Sequence, residues 1–359
     1  MTHPDRRLFL LSATSAALAG CASATEALRV FVYSGGHEKT MREVFVPRFE
    51  QLTGKKVALT AGWWEGIAKV KASPAGRPPF DLMITDATQG FPAARDGLFE
   101  PINPDNIPHH RDLAPVTLDH WIFHDRVGLP YPDAVMTLAF RHDLNKRPVR
   151  WADLLANEHA GQLGLYQDFY MSLFTCAAVL ADSQGRAGQA HALVEDATDE
   201  VLRFAASQAG RVKLWWKTST DMILALAHNA VRLGNMHSPE YIQAMRENPD
   251  LAAVVPEKDR AFVQVFWAIP RGSPRKALAE TAMNLLMSRE MQLEFARRGS
   301  ATSRPDAAAE MAAEDPLWAS LYPHTPDQFA GLRYYPYDRY ARDWDDLADA
   351  WQRTVLDRK

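Results

Sequence analysis

The chain lacks the features that define several large classes of protein. Its 359 residues include only two cysteines, so a disulfide framework cannot hold the fold together. No apolar run approaches the ~20 residues that a membrane-spanning helix needs. The formal net charge is −4, with no large basic region of the kind that binds nucleic acid. Hydrophobic residues make up 47% of the chain, which is typical of a folded protein, and its length favours two lobes over a single core.

The first twenty residues have the organisation of an export signal. Two adjacent arginines open the run Arg6 to Leu10, and a short apolar region and small residues follow. This run resembles a twin-arginine export motif, and residues 18–21 (LAGC) resemble a bacterial lipoprotein box. We therefore expect residues 1–20 to be a signal peptide and the Cys21 thiol to carry a lipid. A plain secretion signal cleaved near Ala24 is the alternative.

Strand and helix patterns alternate in the first part of the remaining chain. The predicted strands are Leu28–Tyr33, Lys56–Thr60 and Asp81–Thr85, and a helical apolar spacing lies between the first two and ends at Gly54. Strands that alternate with helices over short connections indicate a parallel sheet covered by helices. The segment Trp121–Phe123 has the pattern of a strand.

A second unit of the same kind follows. Its predicted strands are 164–166, 212–216 and 231–236, and Thr218 is placed to cap a helix. Three segments are predicted to cross between the units: Val127–Tyr131, Met136–Phe140 and Ala261–Pro270. We expect Ser273 to cap the next helix. The tail has aromatic and apolar residues at steps of three and four: Tyr337, Tyr340, Trp344, Leu347 and Trp351. This spacing predicts a docked amphipathic helix, and a set of ligand contacts is the less favoured alternative.

Four segments in this order resemble the periplasmic solute-binding proteins of ABC importers, in the spermidine/putrescine-binding branch. They are 32–36 with the helix that runs to 57, 79–84 with 96–102, 149–155, and 266–273. The resemblance implies an α/β, two-lobed periplasmic-binding-protein fold of type II with two crossover strands as the hinge. The implied division is 26–133 plus about 267–320 for one lobe, 134–266 for the other, and 321–359 as a helical tail packed on both.

The resemblance also implies what the protein does. It indicates an extracytoplasmic receptor, periplasmic and anchored at Cys21, that binds one small polar solute between its lobes and passes it to ABC permease subunits. We expect a monomer without catalytic activity, cofactor or metal. In open parallel sheets, ligands bind beyond the carboxyl ends of the strands, so the turns from strand to helix are the candidate site.

The turns of the first unit supply five candidate ligand-binding residues. Ser34, Gly35 and Gly36 lie between a strand and a helix, where glycines allow close approach and the helix start offers free N–H groups. Asp86 and Thr88 follow the third strand, where the resemblance places polar contacts. Asp86 is a candidate partner for a cationic group, and a helix N-cap is its alternative role.

The second unit supplies four more candidates. The resemblance places an anchoring carboxylate at Asp168 and a ligand contact at Ser219. Strand alternation predicts that one tryptophan of each adjacent pair, 63–64 and 215–216, lies in the core. We favour Trp216 as a cation–π wall for an amine. His237 stands where many relatives carry a tryptophan.

Two departures from the resemblance leave the solute open. One is His237. The other is the absence of an aspartate before the Ala-Ile-Pro segment, where Gln264, Val265 and Phe266 stand. A long diamine or triamine needs negative charge at both ends. The polyamine class is favoured, and a zwitterion, a phosphonate-like anion or a metal are the alternatives.

Metal and enzyme hypotheses find little support in the sequence. His109, His110, His120 and His124 are close in the chain, but a strand between the last two would leave them on one exposed face without a third ligand. The motifs of serine hydrolases, zinc proteases and dinucleotide-binding enzymes are absent from the sequence. A periplasmic hydrolase is the less favoured alternative.

Overall fold

A mixed β-sheet forms the centre of the molecule. The structure is a computed structural model and describes residues 27–357, so the predicted signal peptide and Cys21 lie outside the described residues. The strands are β1 Leu28–Tyr33, β2 Val57–Gly62, β3 Leu82–Asp86, β4 Phe99–Glu100, β5 Gly128–Arg141, β6 Leu163–Tyr166, β7 Val212–Trp216, β8 Leu233–His237, β9 Leu251–Val254 and β10 Phe262–Pro270.

Helices cover both faces of the sheet. The first, α1, consists of three consecutive segments, Gly36–Thr40, a π-helical turn Met41–Phe45, and Val46–Thr53. The others are α2 Glu65–Lys71, α3 Ala87–Arg95, α4 Pro115–Leu118, α5 Trp121–His124, α6 Phe169–Ser183, α7 Ala190–Asp196, α8 Thr198–Gln208, α9 Ser219–Ala227, α10 Ser238–Glu247, α11 Lys276–Leu286, α12 Arg289–Arg297, α13 Pro305–Glu314, α14 Pro316–Leu321, α15 Pro326–Ala330 and α16 Tyr337–Trp351. Short 3₁₀ segments lie between some of them, and a π-helical turn, Gln352–Leu356, follows α16.

Strand order divides the sheet into two parts joined by long strands. The order is β2-β1-β3-β10-β5-β8-β6-β7, with β4 on β10 and β9 on β5. The first part of β5 pairs with β10, and its last residues, from Met136, pair with β8 and β9. We call the part built on β1, β2 and β3 the first lobe, and the part built on β6, β7, β8 and β9 the second lobe.

The predicted two-lobed α/β fold is confirmed. The two segments predicted as separate crossing strands, Val127–Tyr131 and Met136–Phe140, form the single strand β5, because almost every residue between them is also buried and extended. The crossover strands are therefore β5 and β10. The residue boundaries given for the lobes stay a prediction.

Two local predictions were wrong. Trp121–Phe123 begins the short helix α5 instead of a strand, and His120 caps it by accepting a hydrogen bond from the Ile122 N–H. Ser273 does not cap a helix, since α11 begins at Lys276. The Ser273 hydroxyl instead donates to the buried Asp81 carboxylate at 2.9 Å. In both places a polar side chain has found a partner that local spacing does not reveal.

The predicted tail helix is confirmed as α16. The fifth residue of its stripe, Trp344, is half-buried against the core. The other four are buried: Tyr337, Tyr340, Leu347 and Trp351. The helix is interrupted at Asp343, whose backbone angles are not helical.

Among residues 27–357, the structure contains no helix with the length and apolar character needed to cross a membrane.

Candidate functional site

Three adjoining cavities lie between the lobes, at the strand ends that the sequence indicates. The acid–aromatic cavity, about 150 Å³, is lined by residues that include Tyr33, Asp86, Asp133 and Glu240. The helix-start cavity, about 330 Å³, lies beside the beginning of α1. The outer cavity, about 610 Å³, extends to the beginning of α9. Trp63 and Glu240 line all three, so we treat the cavities as one cleft.

Carboxyl groups from both lobes and the hinge face the acid–aromatic cavity. Asp86 ends β3 in the first lobe, Asp133 lies on the crossover strand β5, and Glu240 lies in the first turn of α10 in the second lobe. No lysine or arginine is among the residues that line this cavity. The cavity therefore offers negative charge from three directions, which suits a cationic group.

Asp86 caps a helix, which is its alternative role in the sequence, and it also lines the acid–aromatic cavity. Its carboxylate caps α3 by accepting hydrogen bonds from the N–H groups of Thr88, at 2.8 Å, and Gln89, at 3.2 Å. The Tyr33 hydroxyl approaches the same carboxylate at 3.4 Å. Burial raises the pKa of Asp86, although the hydrogen bonds from Thr88 and Gln89 oppose this effect. Thr88 lines the cavity beside it.

Asp133 is a half-buried carboxyl without an ion-pair partner among the described residues. Enclosure by the cleft, and secondarily the negative charge of Glu240, raises its pKa to about 7. Such a group gains stability from a cation that enters the cavity, because the cation favours the ionised form.

Aromatic rings form the walls of the cleft. Trp63 stacks on Tyr33 with ring centroids 5.5 Å apart. Trp63 is 54% exposed and Trp64 is 44% exposed, so the expectation that one member of this pair lies in the core was wrong. The pair follows the end of β2 at Gly62, where strand alternation no longer applies.

The second tryptophan pair behaves differently. Trp216 is 3% exposed, packs against Tyr166 at 4.5 Å between ring centroids, and lines the outer cavity. Trp215 packs edge-on against Trp351 of the tail helix. Trp216 thus borders the cleft as expected, but Trp63 presents far more of its ring to it.

The glycine turn lies where the sequence predicts. Ser34, Gly35 and Gly36 line the outer cavity, and Ser34 and Gly36 also line the helix-start cavity. Gly35 precedes α1 with a φ of 87°, and no side chain caps the helix. The first N–H groups of α1 therefore remain available to a polar group in the cleft.

Two histidines border the cleft in their neutral forms. His237 lies at the end of β8, and its Nε2 atom is 3.0 Å from the Tyr335 hydroxyl. Burial lowers the pKa of His237 to about 3 and that of His37 to about 4. Neither ring is expected to add positive charge to the cleft at neutral pH.

Of the remaining two candidates, Ser219 borders the cleft and Asp168 does not. Ser219 is the first residue of α9, which Thr218 caps as expected, and it lines the outer cavity. Asp168 is exposed at the start of α6 and is not among the residues that line the three cavities. The structure thus brings eight of the nine candidates to the cleft: Ser34, Gly35, Gly36, Asp86, Thr88, Trp216, Ser219 and His237.

Sequence reasoning missed Asp133 and Glu240. Asp133 interrupts an apolar crossover strand, and Glu240 follows a Ser-Pro pair directly after a strand. A charged residue within an apolar strand, and a charged residue just after a strand end, were the signals that could have identified them. Within residues 27–357, no group of three or more histidine, cysteine, aspartate or glutamate side chains is placed to hold a metal.

Comparisons with known proteins relate the whole fold to one family. The model of the family described as "Bacterial extracellular solute-binding protein" matches residues 45–320. A Pseudomonas aeruginosa protein named gamma-aminobutyric acid-binding protein is 25% identical over 303 residues, which cover 82% of this chain and 81% of that protein.

Solved structures of related fold cover nearly the whole chain. A spermidine/putrescine ABC transporter substrate-binding protein of Streptococcus pneumoniae superimposes with a TM-score of 0.75 at 18% identity, over 93% of this chain and all of that one. An ABC transporter substrate-binding protein of Bradyrhizobium japonicum superimposes with a TM-score of 0.76 at 14% identity, over 92% and 99% of the two chains. At these identities, the structures support the fold alone.

Proposed function

The chain belongs to the bacterial extracellular solute-binding proteins, a family of binding proteins, and on that premise we propose that it is the receptor of an ABC importer for a solute that carries an ammonium group. The observation that supports this most directly is the acid–aromatic cavity, where three carboxyl groups meet stacked aromatic rings without a lysine or arginine side chain. Carboxylates neutralise an ammonium group, and aromatic faces attract it further.

Within this class, we propose the polyamines as the first candidate. A diamine or triamine needs negative charge at more than one point along its length. Asp86 and Glu240 approach the cavity from different lobes, and Asp133 lies on the crossover strand between them. These three carboxyl groups supply the negative charge that an aspartate before the Ala-Ile-Pro segment would otherwise provide. The Streptococcus pneumoniae neighbour bears the name of a spermidine/putrescine transporter protein, in line with this proposal.

A zwitterionic amino acid is the second candidate. The helix-start cavity shares Asp133 and Glu240 with the acid–aromatic cavity and adds the beginning of α1 and Arg298, whose guanidinium also pairs with Glu43 at 2.8 Å. An ammonium group at one end and a carboxylate at the other would then each meet opposite charge. The name of the Pseudomonas aeruginosa relative, a gamma-aminobutyric acid-binding protein, favours this candidate. A purely anionic phosphonate fits poorly beside three carboxyl groups.

We infer that the protein works outside the cytoplasm, with ABC permease subunits as its partners. The family description as extracellular supports this location. Twin-arginine export, lipid attachment at Cys21 and a monomeric state remain predictions, because they fall outside what the described residues test.

A thermal-shift screen tests the solute class. The panel contains putrescine, spermidine, γ-aminobutyrate, choline, glycine and a simple phosphonate, each added to the purified mature protein. A ligand at a hundred times its Kd stabilises the folded state by about 2.7 kcal/mol. We expect shifts with amines. A shift with putrescine and spermidine but not γ-aminobutyrate supports the polyamines, and the reverse supports the zwitterion. A shift with the phosphonate alone would contradict the proposal.

A further inference from the structure

The C-terminal segment lies beyond the residues that the family model matches, yet it begins at the hinge. The match ends at residue 320. The Phe262 N–H, at the start of β10, donates to the Arg333 carbonyl at 2.9 Å, and the Tyr335 N–H donates to the Phe262 carbonyl at 3.1 Å. These bonds attach the segment 333–335 to a strand that joins the two lobes.

From the hinge, the segment first contacts the first lobe. Tyr337 meets Phe91 of α3 edge-on, with ring centroids 6.3 Å apart. Asp338 pairs with Arg95 of the same helix at 3.2 Å. The beginning of α16 is therefore held against the helix that Asp86 caps.

The rest of α16 packs on the second lobe. The Tyr340 hydroxyl donates to the Tyr170 carbonyl at 2.8 Å, and the Trp351 indole N–H donates to the Gln167 carbonyl at 2.9 Å. The non-helical residue Asp343 lies between Tyr340 and Trp351. One helix thus connects both lobes behind the cleft.

Two aromatic residues of this helix reach the cleft or its walls. Tyr337 is buried and lines the acid–aromatic cavity. Trp344 meets Trp64 of the first lobe edge-on at 6.5 Å and stacks near Tyr170 of the second lobe at 6.4 Å, between ring centroids. Trp64 and Tyr170 both line the cleft, so Trp344 contacts a wall from each side.

We propose that the C-terminal helix is part of the solute-binding site. Tyr337 is a contact residue that closes one side of the acid–aromatic cavity, and Trp344 is a positioning residue that holds Trp64 and Tyr170 at their places on opposite lobes. This inference rests on the proposed function in so far as the cleft binds the solute. It assigns part of the binding site to residues outside the match to the family model.

Hydrogen exchange of the ligand-free protein tests the positioning role. In Trp344→Ala, we expect faster amide exchange both at residues 63–71, in the first lobe, and at residues 166–172, in the second. Trp215→Ala is the matched control, because Trp215 packs on the same helix through Trp351 and lies outside the cleft lining. Its effect should be confined to the second lobe. Faster exchange at one lobe alone in Trp344→Ala would overturn the positioning role.

Calorimetric titration with putrescine and with γ-aminobutyrate tests the contact role. We expect Tyr337→Ala to weaken the Kd of the amine that binds by about tenfold or more, as for a buried aromatic anchor. Tyr337→Phe, which keeps the ring, should restore most of the affinity, and Trp215→Ala should stay within about twofold of the native protein. Native affinity in Tyr337→Ala would overturn the contact role.

The exchange experiment and the titration together distinguish a failure of this inference from a failure of the proposed function. If the native protein binds neither amine, the amine proposal fails, and the exchange experiment still decides whether Trp344 holds the two walls. If the native protein binds an amine and Tyr337→Ala binds it equally well, the amine proposal stands and the contact role of the C-terminal helix is refuted.

Discussion

At the scale of single residues, Asp133 is the side chain at which binding and stability oppose each other. Its folded pKa is raised to about 7, whereas an aspartate in an unfolded chain titrates near 4. The folded protein therefore holds this proton more tightly. The free energy of unfolding is expected to fall as the pH rises from about 4 to about 7, by about 4 kcal/mol at most.

Asp133→Asn removes this titration. At pH 7.5, we expect the variant to be more stable than the native protein by about 1 kcal/mol or more, and at pH 4 we expect no difference. Its affinity for the amine solute should fall by about tenfold or more, because a charge partner is lost. Urea unfolding at both pH values and calorimetric titration measure these effects.

Asp168→Asn provides the matched control. Asp168 is an exposed carboxylate outside the three cavities, beside the Tyr166 hydroxyl of the outer cavity wall. Its replacement should change stability by less than about 0.5 kcal/mol and affinity by less than about twofold. If Asp168→Asn weakens binding and Asp133→Asn does not, the carboxylate chosen from the sequence is right and the cavity chosen from the structure is wrong.

Asp81 is a buried charge with a structural role. Its side chain is fully buried and pairs with Arg29 at 2.8 Å and Arg275 at 3.3 Å, which links β1 to the turn before α11. Burial alone would raise the pKa of Asp81, but the hydrogen bonds and charge of Arg29 hold it below its ordinary value.

Asp81→Asn should lower the free energy of unfolding by about 2–4 kcal/mol. The lower part of that range applies if Arg29, which is one-third exposed, turns toward water. Solute affinity at temperatures where the variant is folded should be unchanged, because Asp81 is distant from the cleft lining. A loss below about 1 kcal/mol in urea unfolding would contradict a structural role for this pair.

At the scale of secondary-structure elements, the turn before α1 depends on one glycine. Gly35 has φ 87° and ψ −133°, a conformation that side chains with a Cβ atom avoid. A Cβ at Gly35 or at Gly36 would meet no atom within 4 Å, so space is not the constraint at either position. A comparison of alanine substitutions at the two glycines therefore measures backbone strain without a contribution from crowding.

Gly35→Ala should lower the free energy of unfolding by about 1–3 kcal/mol, whereas Gly36→Ala, with an ordinary φ, should change it by less than about 1 kcal/mol. Chemical denaturation of both variants makes the comparison. Equal effects of the two substitutions would show that the conformation of Gly35 does not determine the stability of this turn.

Elements with strong periodicity could be predicted from the sequence. Alternation, capping chemistry and the aromatic stripe predict the strands β1, β2, β3, β6, β7 and β8, the cap at Thr218 and the tail helix. The second-lobe strand β9 was not predicted. Trp121–Phe123 could not, because three residues do not distinguish a short helix from a strand, and the stacking of His120 on Phe91 comes from a distant part of the chain.

The candidate site was predictable where a strand end is visible in the sequence. Ser34 to Gly36, Asp86 and His237 lie at such ends and border the cleft. Asp133 was missed because it lies within a strand, and only the arrangement of the two lobes around the hinge places it at the cleft. Tyr337 belongs to a stripe for which the sequence favoured core packing over ligand contact, and the structure places it in the core and also at the cavity.

At the scale of the whole molecule, the predicted lipid anchor determines where the receptor works. Cys21→Ala should move the protein from the membrane fraction to the soluble fraction of the cell envelope, because a diacylglycerol at this thiol would hold the chain at the membrane. Cys176→Ala is the control: this thiol is buried within the fold, so its replacement should leave the fractionation unchanged. A soluble native protein would contradict the anchor.

Two lobes are joined by β5, β10 and the C-terminal helix, and the proposed function requires them to close on the solute. Small-angle X-ray scattering of the mature protein, with and without a saturating concentration of the amine that gives the largest thermal shift, tests that claim most directly. We predict a smaller radius of gyration with the amine, and in Asp133→Asn the same decrease only at an amine concentration about tenfold higher or more. Superimposable curves for the native protein at saturation would contradict closure around the solute.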